Sequence, residues 1–137
     1  AILNVKLPYI DEWNSKRREN AYRYNKLFEN CEDIVTPAEL SDTYCVYHQY
    51  TVKIPNRDEV HKLLAEQGIG AMIYYPIPLH LQKVHAKYNF NEGMLPITEE
   101  NTKLVLSLPM FAEITEDEQR EVAQKLIAIV EKTAALV

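Results

Sequence analysis

Glycine is scarce in this sequence, 3 in 137 residues, and no glycine-rich phosphate cradle accompanies its lysines. Cysteine is scarcer still. Cys31 and Cys45 could in principle pair, yet two cysteines without regular spacing are more often free thiols in a reducing compartment. Four histidines and two cysteines fall in no ligand pattern, so a structural metal is not expected. Positive charge is in deficit. Lys plus Arg number 15 against 20 Asp plus Glu, and a net charge of -5 argues against a phosphate-backbone binder, so nucleic acid is not an expected partner. No apolar run approaches a membrane span and no charged-apolar-small signal pattern opens the chain, so no membrane partner is expected and a soluble, cytoplasmic setting is. An initiator Met is also lacking, and Ala1-Ile2-Leu3 begins inside an apolar run with no capping residue before it. The chain therefore reads as a fragment of something longer, although 137 residues suffice for one domain with a core.

What is present is periodic. Ile10, Trp13, Ala21, Tyr24 and Phe28 recur at helical spacing, so roughly the first thirty residues read as one amphipathic helix that Pro8 starts or kinks. Regular alternation from Tyr44 to Ile54 predicts a strand with Tyr44, Val46, His48, Tyr50, Val52 and Ile54 on one face. Asn56 and Glu59 resemble a capping box for a helix whose inward residues are Val60, Leu63 and Leu64, ending at Gly68 in a positive-φ conformation. A second strand is expected over residues 71–75, then a short helix from Leu79 to Tyr88 and a turn-rich stretch from Asn89 to Pro96. Thr98 is placed as the cap of a helical turn reaching about Leu104, and Val105 to Leu108 as a third strand closed by Pro109. Thr115 and Glu118 form a capping box for a final helix with an inward stripe of Val122, Leu126, Ile129 and Val130. The element order predicts an α/β unit of the α+β kind: a long N-terminal helix, then a small, mainly antiparallel sheet with helices on one face.

The segment from Gly68 to Gln82 concentrates the chemistry. A helix stop, a short apolar strand and two X-Pro steps follow without a gap, which holds Tyr75, His80 and Gln82 on a stiff loop at a strand end. Hydrogen-bonding groups fixed in this way can meet a polar ligand with little entropy left to lose. A plain surface turn is the competing reading. His80 is the titratable contact to a ligand or else a helix-terminal residue exposed to water. His48 shares its predicted face with Val46 and Tyr50 and reads as a core histidine, whereas His85 reads as solvated. Lys53, Lys62, Lys83 and Lys87 fall on strand or helix surfaces.

Four blocks, in order and at fitting spacing, carry a resemblance over most of the chain. They are Ala1-Ile2-Leu3 through Leu7-Pro8-Tyr9-Ile10-Asp11-Glu12-Trp13-Asn14 with Arg17 and Arg18; Tyr47-His48-Gln49-Tyr50-Thr51-Val52; Tyr75-Pro76-Ile77-Pro78-Leu79-His80; and Leu106-Ser107-Leu108-Pro109-Met110-Phe111. The chain resembles the C-terminal part of the DegT/DnrJ/EryC1/StrS sugar aminotransferases, enzymes of the fold type I class that depend on pyridoxal phosphate. The resemblance implies residues 1–42 as an interdomain helical segment, 43–137 as the small C-terminal α/β domain, and a large domain outside this chain that carries the cofactor lysine. It implies no catalytic residue and no bound cofactor here, with pyridoxal phosphate in the full-length protein. It further implies a nucleotide-linked keto sugar as substrate, glutamate as amino donor, and a homodimer.

Tyr75, Tyr74 and His80 are the substrate-binding candidates. Tyr74 stands where many relatives have His, which keeps a hydroxyl and removes a group that titrates near neutrality. Met94 likewise replaces the acid of the family's Gly-Asp-x-Pro turn. The short loop looks most like members acting at the sugar C-3. Alternatives are a sugar dehydratase of the same family, with histidine in place of the cofactor lysine, and a non-catalytic binding or dimerisation module.

Overall fold

The computed structural model describes residues 1–134. Two short antiparallel strands form its centre. β1 (Tyr50–Lys53) pairs with β2 (Val105–Leu108) in the register Tyr50 with Leu108 and Lys53 with Val105. Single antiparallel bridges flank the pair, Val35 with Lys53 on one side and Met72 with Ser107 on the other. The expected antiparallel character of the sheet is therefore seen, with less extended strand than the alternation suggested.

Helices build the rest. α1 (Ile2–Lys6) and α2 (Ile10–Leu27) are separated by a 3-10 turn at Leu7–Tyr9, where Pro8 interrupts the helical ladder as expected. The inward stripe of α2 is buried only in its second half, at Asn20, Ala21 and Tyr24, whereas Ile10 stays exposed. α3 (Arg57–Glu66) and α5 (Glu116–Ala134) pack together against the sheet. Val60 and Leu64 of α3 and Val122, Leu126, Ile129 and Val130 of α5 join Tyr50, Val52 and Leu106 in one core. The predicted stripe of the last helix is thus the buried one. Its capping box also forms: the Thr115 backbone N–H donates to Glu118 Oε2 at 2.8 Å and the Glu118 N–H donates to Thr115 Oγ1 at 3.3 Å. Gly68 takes φ +78, with Gly68 N–H bonded to the Ala65 carbonyl and Ile69 N–H to that of Leu64, which closes the C-terminus of α3 in a Schellman arrangement.

A buried polar node locks α2 to α5. Gln119, fully buried, donates to the Asn20 carbonyl at 2.9 Å, and the Asn20 side chain donates to the Phe111 carbonyl at 3.0 Å. Arg57, also buried, donates to the carbonyls of Thr102, in the last turn of α4 (Pro96–Leu104), and of Val105, the first residue of β2. The Thr102 carbonyl has no partner further along the helix, so a fixed guanidinium satisfies what the helix end leaves open.

Six expectations are corrected. The strand expected from Tyr44 begins only at Tyr50, because Tyr47 takes φ +47 and turns its ring into the core beside Tyr50 and Tyr22. That turn reverses the facing of the residues before Tyr50, so Val46 and His48 lie outside and His48 is not a core histidine. Residues 71–75 make one bridge at Met72 rather than a strand, since the following Pro76 and Pro78 cannot donate to a ladder. The helix of residues 79–88 is two 3-10 turns, Leu79–Leu81 and Lys83–Tyr88. Asn56 sits in a left-handed conformation and sends its side chain to the Thr133 carbonyl, so the Asn56–Glu59 box does not form. α4 starts two residues before Thr98, with Pro96 at its first position and Glu99, not Thr98, supplying the cap.

Candidate functional site

The loop after α3 leaves the sheet at Met72 and carries Tyr74 and Tyr75 outward. Their rings meet edge to face at 5.9 Å and 71°. Tyr74 is 38% exposed and lines a groove of about 230 Å³ between the sheet and the departing loop. Its other walls are His48 and Gln49 before β1, Gly70 and Met72 before the tyrosines, and Ser107 to Met110 at the end of β2. Tyr75, 60% exposed, is not part of that lining. Two of the three predicted contacts are thus adjacent and accessible.

His80 is elsewhere and is not exposed to water. It is 9% exposed, and its Nε2–H donates to Glu99 Oε1 at 3.0 Å while the ring edge meets Phe90 at 6.3 Å. Glu99 is the centre of this node. Its Oε1 also accepts the Leu95 N–H at 3.1 Å and its Oε2 the Gly93 N–H at 2.8 Å. The Gly93 N–H, then the Leu95 N–H and the His80 ring, hold the Glu99 carboxyl below the usual carboxylate range. One side chain therefore ties the start of α4 to the loop that carries His80. His80 Nδ1 is buried and has no partner among the described residues, an arrangement that costs about 1–3 kcal/mol until a donor or a water meets it.

A second charged cluster lies on the far side of β1. Glu39 pairs with Arg18 at 2.5 Å, accepts the Cys45 N–H at 2.8 Å and bonds the Tyr22 hydroxyl at 2.9 Å, while the Arg18 guanidinium stacks on the Tyr44 ring at 4.0 Å. The Arg18 guanidinium first, then the Cys45 N–H, lower the Glu39 carboxyl to about 2. Every polar group here already has a partner within the chain, so the cluster fastens the 37–47 segment to α2.

Lys53, Lys62, Lys83 and Lys87 are all exposed, and the three glycines form no loop around an anion. No cluster of three or more metal-ligating side chains occurs among the described residues, and none of their helices is long and apolar enough to cross a membrane. Sequence reasoning missed His48, Gln49 and Glu99. Glu99 had a local signal, an acid in the first turn of a helix opened by Pro96. His48 had none, since its exposure depends on the left-handed Tyr47.

A long helix leading into a small antiparallel sheet backed by helices is an architecture shared with sugar aminotransferases of fold type I. Comparison with known proteins agrees. The profile of the DegT/DnrJ/EryC1/StrS aminotransferase family matches residues 1–127, and the chain belongs to this family. A pleiotropic regulatory protein of Geobacillus stearothermophilus is 48% identical over 128 residues, which are 92% of this chain and 34% of that protein. A dTDP-3-amino-3,4,6-trideoxy-alpha-D-glucose transaminase of Streptomyces venezuelae is 36% identical over 80% of this chain and 29% of its own length. The crystal structure of S. venezuelae DesV superposes with a TM-score of 0.90 at 31% identity, covering 95% of this chain and 35% of that one. The chain thus spans about a third of the length of the proteins it matches.

Proposed function

We propose that the chain is the C-terminal portion of an aminotransferase that converts the keto group of a nucleotide-linked sugar to an amine, with glutamate as amino donor. Its match over nearly its whole length to one third of named sugar transaminases carries this reading. Residues 1–42 join the small domain to a large domain outside this chain. Pyridoxal phosphate belongs to that large domain, where it supplies the electron sink for amino transfer. The assembled enzyme is a cytoplasmic homodimer.

Within this portion the work is binding. Tyr74 and Tyr75 are accessible, rigidly held phenols that can hydrogen-bond sugar hydroxyls or stack on a ring. His80, buried on Glu99, positions the loop that carries the tyrosines rather than touching the sugar. The preference for the sugar C-3 rests on the shortness of the loop.

A second reading is favoured by one observation: the relative at 48% identity is named as a regulatory protein. Full-length protein incubated with keto nucleotide-sugars and glutamate separates the cases. Amino sugar with stoichiometric 2-oxoglutarate is expected, and Tyr75→Phe should lower kcat/KM about tenfold, the value of one ligand hydrogen bond. Dehydration without glutamate consumption would move the protein to the dehydratase branch. Sugar binding without turnover would favour the regulatory reading.

A further inference from the structure

The strongest unassigned feature is the face of the Tyr74 groove contributed by the segment before β1. Tyr47 and Tyr50 are both buried, and Tyr47 holds φ +47, a conformation that bulky residues seldom adopt without surrounding restraint. The restraint is visible in the Tyr22, Tyr50 and Glu39 contacts of its ring. The consequence is that His48 and Gln49, lying between two anchored tyrosines, are turned out of the core and into the groove opposite Tyr74. Their backbone has little freedom left, so a ligand would find two polar side chains already in place.

The chemistry of the lining narrows the ligand. No Asp, Glu, Lys or Arg contributes to the groove. Ser107 Oγ is already engaged with Thr51 Oγ1 at 2.8 Å. That leaves an imidazole, a carboxamide and a phenol as hydrogen-bonding groups, with Met72 and Met110 as apolar walls. A diphosphate would look for fixed cations and finds none here. A sugar ring presents neutral hydroxyls that both donate and accept, together with C–H faces that suit an aromatic and a thioether.

We propose that His48 and Gln49 form, with Tyr74, the contact surface for the sugar ring of the nucleotide-sugar. This rests on the aminotransferase reading and adds to it two residues and the part of the substrate they meet.

The test uses the full-length protein. Diethylpyrocarbonate labelling of His48 is followed by mass spectrometry alone, with dTDP-glucose or UDP-N-acetylglucosamine, and with dTDP or UDP, while calorimetry records whether each compound binds. The expected result is that His48 labels readily in the free protein and is protected by a binding nucleotide-sugar but not by the bare diphosphate. In kinetics, His48→Ala should raise KM for the sugar about tenfold with kcat within about twofold, and His48→Asn should restore part of the loss. Equal protection by the bare diphosphate, an unreactive His48 in the free protein, or a nucleotide-sugar that binds without protecting His48 would each overturn the inference and leave the aminotransferase reading standing. Absence of binding by every nucleotide compound would remove both.

Discussion

Glu39 shows how much one side chain can organise. Its carboxylate is shared by Arg18, the Cys45 N–H and the hydroxyls of Tyr22 and Tyr47, and the first three of these hold its pKa at about 2 against an ordinary 4.5. A carboxyl whose folded pKa is depressed stabilises the fold fully above its unfolded pKa, and the contribution fades as pH falls through the folded one. Stability measured by urea unfolding should therefore decline between about pH 4.5 and pH 2, and Glu39→Gln should flatten that part of the profile. An unchanged slope in the variant would mean that other carboxylates govern acid unfolding. The same cluster fixes Tyr47, and through it the facing of His48. This is the step that could not be read from the sequence. The alternation from Tyr44 to Ile54 is regular, and period 2 carries no sign that one residue will turn left-handed. By contrast, the apolar stripe of α5 and the stop at Gly68 were legible, because each follows from one residue's own geometry or from one helix's own period.

At the scale of elements, the chain divides into parts held by local signals and parts held by a single distant group. The Thr115–Glu118 box is of the first kind. Thr115→Ala should cost about 1 kcal/mol of global stability, read as a lower urea midpoint with an unchanged m-value. The stretch between Tyr75 and α4 is of the second kind: two 3-10 turns and a turn at Gly93, drawn together by Glu99. Glu99→Ala should speed amide exchange at Gly93 and Leu95 about tenfold while exchange in β1 and α5 stays unchanged. Glu99→Gln keeps an acceptor and should fall between. Uniform acceleration across the chain would instead mark Glu99 as part of the global core. Sequence reasoning expected a helix over Leu79–Tyr88 and a cap at Thr98, and both misplacements share a cause. Pro96 and Glu99 start α4 early, and the acid that caps it also takes His80, which shortens the segment between them.

The whole molecule combines a complete core with an uncovered face. Ile2, Leu3, Val5 and Leu7 are each more than 60% exposed, on α1 and the turn that follows it. Apolar area of this kind promotes association. The isolated 137-residue chain should elute as a species larger than a monomer and bind a hydrophobic dye, and Leu3→Glu with Leu7→Glu should reverse both. A monomeric parent chain without dye binding would contradict the expectation. The sequence by itself determined the helices with strong period, their stops and caps at Gly68 and Thr115, the β2 strand and the family, because these depend on neighbours within a few residues or on ordered blocks along the chain. Only the tertiary structure decided that His80 is buried on Glu99, that Tyr74 shares a groove with His48 and Gln49, and that Tyr47 turns inward. Those outcomes depend on groups far apart in the chain competing for the same core space and the same unpaired donors, and that competition is settled only when the whole chain has packed.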